Sequence, residues 1–149
     1  MNIKQDLYNQ CLQLVDKRYK SIQNHIADIQ NSLLSETKSS AGDKHETGRA
    51  MLQLEREKAG HQLAEVNKLR TALSKVDIEK NQTQVGIGSL VLTSKANYFI
   101  AVSLGQLKID DKTAYAISPG TPIGQLLLGK TLGEEIMFNN STFIIEKIL

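Results

Sequence analysis

A helical repeat of apolar residues at the start of this 149-residue chain restricts the possible folds more than any other part of the sequence. Neither Pro nor Gly occurs between residues 2 and 41, so nothing in that range interrupts a helix. The repeat predicts one long helix from residue 2 to about residue 38, because its steps of three and four residues match the buried stripe of a coiled coil. Its members are Ile3, Leu7, Cys11, Val15, Tyr19, Ile22, Ile26, Ile29 and Leu33.

A second apolar stripe predicts a second helix that runs to about Lys80. Its members are Leu52, Ala59, Leu63, Val66, Leu69, Leu73 and Val76. The polar stretch 39–48 between the helices is short, so the two are expected to form an antiparallel hairpin. The first stripe can instead pair between chains, as in an oligomerisation module. The hairpin is preferred because the second helix is a partner of matching length, and a monomer is therefore expected.

The remainder of the chain has the pattern of short strands. Five segments rich in β-branched and aromatic residues, separated by turn residues, begin at Ser89 and end at Leu149. Asn139-Asn140 is typical of a tight hairpin turn, since Asn tolerates a positive φ. Thr121 is expected to cap a short helix that has Pro122 at its first position and ends at Gly129. We therefore predict an α+β protein: a coiled-coil hairpin at 1–80, a linker at 81–88, and a small antiparallel β-sheet domain with one short helix at 89–149.

Composition narrows the classes of function. The formal net charge is +2, which is too small for nucleic-acid binding by bulk attraction. The one cysteine, Cys11, has no internal disulfide partner, and no apolar run reaches the ~18 residues of a membrane span. The N-terminus lacks the apolar stretch of a signal peptide, so a cytoplasmic location is expected.

Two carboxylates, Asp43 and Glu46, lie in the polar stretch between the helices. Asp at a helix N-cap with Glu three residues later forms a capping box, and both charges favour the positive end of the helix dipole. The same oxygens suit Mg²⁺, although two carboxylates are too few to hold the ion alone. A metal at this position would therefore need further ligands from a partner.

Two segments resemble the Gre family of bacterial transcript cleavage factors. In positions 41–48, Gly42, Asp43 and Glu46 match the hairpin tip of the family at the same spacing. Positions 117–136 resemble its C-terminal signature, a Ser-Pro followed by a short helix that ends in Leu-Leu-Gly-Lys. The resemblance covers nearly the whole chain, and the C-terminal signature is the more specific of the two matches.

The resemblance implies an accessory factor of bacterial RNA polymerase that is not itself an enzyme. In the family, an FKBP-like sheet domain docks at the rim of the polymerase secondary channel and the hairpin reaches the active site. The resemblance implies that Asp43 and Glu46 help to hold the second catalytic Mg²⁺ in the polymerase active site. The polymerase itself then cleaves the 3′ end of backtracked RNA. The resemblance assigns Thr121, Pro122 and Ile123 to docking. DNA is contacted only through the elongation complex, and no metal is expected on the protein alone.

The sequence departs from the family after Glu46. Thr47, Gly48, Arg49 and Ala50 stand where members usually carry Asn, Ala, Glu and Tyr. Lys44, His45 and Arg49 add positive charge that can pair with RNA phosphates or with the two carboxylates. The alternative function is therefore a channel-occupying regulator or inhibitor of the polymerase that does not stimulate cleavage.

The remaining sequence patterns give weaker indications of a functional site. His25, His45 and His61 have no Cys or His at ligand spacing, so zinc is not expected, and His25 and His61 are predicted to be helix-surface residues. Cys11 is predicted to be a buried packing residue. Gly86 and Gly88 precede a strand and are not a dinucleotide fingerprint. An FKBP-like domain raises prolyl isomerase activity as a further alternative, but the aromatic residues at strand spacing are more simply explained by packing.

Overall fold

A computed structural model of the chain describes residues 2–38 and 42–149, without the side chains of 37–38 and 42–45. Two long helices come first, α1 (Ile3–Lys38) and α2 (Gly42–Ser74). Six strands and one short helix follow: β1 (Leu90–Thr93), β2 (Asn97–Ile100), β3 (Gly105–Ile109), β4 (Lys112–Ile117), α3 (Pro122–Leu127), β5 (Glu135–Phe138) and β6 (Ser141–Ile148). The α+β class is thus confirmed. In the described part of the chain, no helix has an apolar stretch long enough to cross a membrane.

The chain divides into two compact units, and the division falls within both long helices. One unit comprises residues 1–14 and 71–149, and the other comprises Val15–Arg70. The predicted bounds 1–80, 81–88 and 89–149 follow the secondary structure instead, and they stay a prediction. The segment predicted as a linker carries Val85, which is 3% exposed and belongs to the hydrophobic core of the sheet.

The two long helices run antiparallel, as predicted. In the first unit, the Tyr8 hydroxyl donates to the Leu73 carbonyl at 3.0 Å. In the second unit, the Arg70 guanidinium lies 4.2 Å from the centre of the Tyr19 ring. Nearer the bend, Glu36 lies beside Gly48. As the residue number rises along α1, the number of its partner in α2 falls, which is the signature of a hairpin.

The residues of both predicted stripes are buried or half-buried, apart from Ile3, which is 38% exposed at the start of α1. Helix α2 ends at Ser74, however, and not near Lys80. After Ser74 the backbone tightens: the N–H groups of Lys75 and Val76 bond to carbonyls three residues earlier. The backbone of Gly88 then packs so closely on the Asp77 carbonyl that a Cβ would lie 2.3 Å from that oxygen. This close approach, between residues eleven positions apart, lies three residues after the end of the helix.

The sheet has the strand order β3-β4-β2-β1-β6-β5. All its neighbouring strands are antiparallel except β2 and β4, which pair in parallel with Phe99 opposite Ala116. The prediction of an antiparallel sheet is therefore wrong for that one pair. Asn139 and Asn140 form the predicted two-residue turn between β5 and β6, with φ of 51° and 62°.

Strand β3 was not predicted. Its Leu107 and Ile109 are buried and alternate with exposed Gln106 and Lys108, which is the pattern of a half-buried strand. Asp110, with φ of 50°, makes the tight turn into β4.

The hydrophobic core of the sheet is formed by residues from distant segments of the chain. One cluster joins α3 to one face of the sheet through Val85, Val91, Ile100, Ile123, Leu127, Ile136, Phe143 and Ile145. The start of α1 reaches the edge of β3, where the Gln10 amide donates to the Lys108 carbonyl at 2.7 Å and accepts from its N–H at 3.0 Å. One side chain thus satisfies both outward backbone groups of an edge residue.

Candidate functional site: the start of α2 and the turn before α3

The first predicted site lies at the start of α2. The helix begins at Gly42, which places Asp43 in its first turn and Glu46 one turn later. Spacing of three residues puts both on neighbouring positions of one helix face. The Glu46 side chain is exposed. The predicted capping box and the roles of Asp43, Lys44 and His45 concern side chains outside the described residues.

Residues after Glu46 determine the electrostatics of this end of α2. Arg49 is exposed and lies three positions from Glu46, within reach of a carboxylate on the same helix face. Gly48 faces the Glu36 carboxylate of α1, whose Oε1 lies 3.6 Å from where a Cβ would stand. The departure from the family pattern therefore places a cation beside the predicted metal ligand and removes a side chain beside Glu36.

The donor chemistry of the first site fits Mg²⁺ only as a shared ion. Carboxylate oxygens are the ligands that Mg²⁺ prefers, and the ion takes six of them including its waters. Within the described part of the chain, no group of three or more His, Cys, Asp or Glu residues is arranged to hold a metal. Asp43 and Glu46 would contribute two oxygens, and the remaining ligands would come from waters or from a partner.

The second predicted site is a rigid turn that leads into α3. The Thr121 N–H bonds to the Ser118 carbonyl at 3.2 Å, which closes a β-turn with Pro119 in its second position. The Thr121 hydroxyl donates to the same carbonyl at 2.8 Å and accepts from the Gly124 N–H at 3.1 Å. Thr121 is therefore the N-cap of α3, with Pro122 at the first position, as predicted.

Gly124 and Gln125 complete this turn, and neither was predicted from the sequence. A Cβ on Gly124 would lie 2.4 Å from the Ser118 carbonyl oxygen and 2.8 Å from the Thr121 hydroxyl oxygen. Only glycine allows the first turn of α3 to pack this tightly. The Gln125 amide donates to the Gly120 carbonyl at 3.2 Å. A Gly two positions after the capping Thr-Pro was the available sequence signal.

The three predicted docking residues differ in what they offer a partner. Pro122 is exposed and Thr121 is partly exposed, whereas Ile123 is 8% exposed and packs in the sheet core. Side-chain contact with a partner is thus available to Pro122 and Thr121. Ile123 anchors the turn from below.

The segment after α3 is also held in place. Gly129, which follows the helix with φ of 79°, donates its N–H to the Val85 carbonyl at 2.8 Å. The Glu134 carboxylate accepts hydrogen bonds from the Thr131 N–H at 2.6 Å and from its hydroxyl at 3.1 Å. The bond from the Thr131 backbone, aided by its hydroxyl and by Lys130, holds the pKa of Glu134 below its ordinary value.

The remaining candidates are structural. Cys11 is fully buried, as predicted, and burial raises the pKa of its thiol to about 11. His25 and His61 are exposed, also as predicted. His25 lines a cavity of about 270 Å³ together with Glu55, Lys58, Ala59 and Gln62.

The aromatic residues of the sheet mainly serve packing. Phe99 and Phe143 are 0% and 4% exposed. The Tyr98 ring lies 6.2 Å from that of Tyr115 and 6.3 Å from that of Phe143, so it is half-buried between them. Burial raises the pKa of Tyr98, with a smaller contribution from Tyr115. The arrangement accounts for these rings without an isomerase site.

Comparisons with known proteins find similar solved structures. The crystal structure of GreA factor homolog 1 (Gfh1) protein of Thermus thermophilus is 16% identical, with a TM-score of 0.35, over 95% of this chain and 94% of that one. A structure described as the transcription factor Gfh1 is 18% identical, with a TM-score of 0.35, over 95% and 92% of the two chains. No protein-family model matches the sequence, and no curated protein matches it.

Proposed function

We propose that this protein is a Gre-like factor that binds bacterial RNA polymerase and stimulates its cleavage of backtracked RNA. The observation that carries the proposal is the position of the two resemblance segments. The Gly42-Asp43-x-x-Glu46 segment opens α2 of a helical hairpin, and the Ser118-Pro119 segment forms the capped turn before α3. In this proposal the α3 turn docks, and the start of α2 acts at the polymerase active site.

The chemistry of the proposed site is electrostatic. Mg²⁺ supplies stabilisation of the attacking and leaving oxygens in phosphodiester hydrolysis. The task of Asp43 and Glu46 is to contribute carboxylate oxygens to the shared ion. The exposed side chain of Glu46 supports this role, because a carboxylate already engaged inside the protein would have to break its own bonds first. The protein alone is expected to be inert.

A backtracked elongation complex of the cognate polymerase with labelled RNA tests the proposal. We expect wild-type protein to accelerate Mg²⁺-dependent cleavage, and Glu46→Gln or Asp43→Asn to abolish the acceleration, because an amide is a far poorer Mg²⁺ ligand than a carboxylate. Glu57→Gln, a matched change at an exposed position of the same helix, should leave cleavage unchanged. Equal cleavage with wild type and Glu46→Gln would contradict the assignment of Glu46.

A channel-occupying regulator is the second candidate, and Arg49 is the observation that favours it. Arg49 lies one helical turn after Glu46, where it can neutralise the carboxylate before a metal does. This candidate predicts that wild type and Asp43→Asn/Glu46→Gln slow elongation equally, and that neither stimulates cleavage. Arg49→Glu would then confer cleavage if the Arg49 charge is the cause.

Docking at the α3 turn has its own test. Pro122→Ala keeps a helix-compatible residue at the first position of α3 but removes the exposed ring. We expect polymerase affinity to fall about fivefold or more, the usual cost of losing a side chain central to an interface. Met137→Ser, which changes an exposed apolar residue on β5, is the control and should bind normally. Equal affinities for both variants would place the docking surface elsewhere.

A further inference from the structure

Burial along the hairpin is uneven. Its distal half is defined here as residues 22–36 of α1 and 46–60 of α2. Among its described side chains, the buried apolar ones are Ile29 and Ala59, at 2% and 1% exposure. Three large apolar residues of the same half are in water: Leu34 at 59%, Met51 at 61% and Leu54 at 65%. Ile22, Ile26, Leu33 and Leu52 of this half are only half-buried. Burial of apolar surface is what stabilises a pair of helices, so fully buried apolar contacts contribute little to this half.

Two glycines weaken the same half further. Gly48 and Gly60 lie inside α2, and neither has the positive φ that favours glycine. A Cβ on Gly48 would meet the Glu36 carboxylate at 3.6 Å, an ordinary contact distance. A Cβ on Gly60 would meet only the mobile end of the Arg56 side chain, at 3.2 Å. Neither backbone geometry nor packing requires glycine at these positions. Each glycine lowers the equilibrium constant for helix formation about fivefold relative to alanine.

The part of the Val15–Arg70 unit farther from the bend is better consolidated. Val15 and Val66 are 2% and 5% exposed. The Arg70 guanidinium lies over the Tyr19 ring, 4.2 Å from its centre. Segments with few buried apolar contacts open at lower free energy than the elements next to them.

We propose that the distal half of the hairpin opens by local unfolding, independently of the remainder of α2, and that Gly48 and Gly60 set this equilibrium. The two glycines keep the open state accessible, because a single methyl group added at each position would shift the equilibrium toward the helical state. Glu46 lies within the segment, so opening would displace this carboxylate; that consequence alone rests on the proposed function. Local unfolding itself is a property of the free chain.

Native-state amide hydrogen exchange on the free full-length protein tests the inference. In wild type, amides of 46–60 are expected to exchange at least tenfold faster than those of 61–73. In Gly48→Ala/Gly60→Ala, exchange in 46–60 should slow about 25-fold, the product of two fivefold effects, while the sheet amides stay unchanged. Equal protection of the two segments in wild type, or slowing of less than threefold in the double variant, would overturn the proposal.

Two reciprocal variants separate a distal unit from a hairpin that opens as a whole. Ala50 and Ala64 are both exposed positions of α2, one in each segment. Ala50→Gly should speed exchange in 46–60 about fivefold, and Ala64→Gly should leave those rates within twofold. If both variants speed them equally, the hairpin opens as one unit and the inference is wrong. Because no polymerase is present, this failure would leave the proposed function untouched.

Discussion

The Thr121 hydroxyl is the most sharply testable element of the α3 turn. It accepts from the Gly124 N–H at 3.1 Å and donates to the Ser118 carbonyl at 2.8 Å. Thr121→Val has nearly the same shape but removes both bonds. Loss of an N-cap costs about 1 kcal/mol, and loss of a second, partly buried hydrogen bond costs about 1 kcal/mol more. We therefore expect the unfolding free energy of the sheet unit to fall by about 2 kcal/mol.

Urea unfolding, followed through NMR amide signals of the β-strands, measures this change. With a urea dependence of about 2 kcal/mol per M, the midpoint should fall by about 1 M. Thr121→Ser retains the hydroxyl and is the matched control, with a midpoint close to that of wild type. A Val variant as stable as the Ser variant would refute the reasoning, because the two hydrogen bonds would then contribute nothing.

Two further predictions concern titratable groups. Because burial raises the pKa of Cys11 to about 11, its thiol should react with a disulfide reagent at least a hundredfold more slowly in the native protein than in urea; comparable rates at pH 8 would show that the thiol is accessible. The pKa of Glu134 is lowered on folding, so its contribution to stability is present above its ordinary pKa of 4.5 and is lost as the pH falls through the folded value. Thr131→Val should move the NMR-measured pKa of Glu134 upward, since it removes one of the two hydrogen bonds to the carboxylate, and an unchanged pKa would contradict this.

Local interactions account for the features that could be predicted from the sequence. The two long helices follow from apolar spacing, because residues three and four apart share a helix face whatever lies around them. The cap at Thr121 and the turn at Asn139-Asn140 depend on side-chain and backbone geometry within four residues. All the residues that produce these features lie within a short stretch of sequence.

Strand β3 was missed because its pattern is weak by itself. Five residues with two buried apolar side chains become a strand through pairing with β4, where Leu107 lies opposite Ala114. The parallel pairing of β2 with β4 likewise depends on residues more than fifteen positions apart. Strand order is a property of the assembled sheet, since the same strands can pair in several orders without a change in their local pattern.

The candidate sites likewise have some features that depend on local sequence and others that depend on tertiary packing. It could be predicted from the sequence that two carboxylates open the second helix and that a capped Pro-containing turn precedes the third, because both are short-range motifs. That Ile123 faces the core while Pro122 faces solvent could be known only from the assembled fold. Those properties depend on which atoms of distant segments, such as Val85 and Phe143, fill the space beneath the turn. The burial of a residue depends on the packing of the whole unit, so a short stretch of sequence cannot predict it.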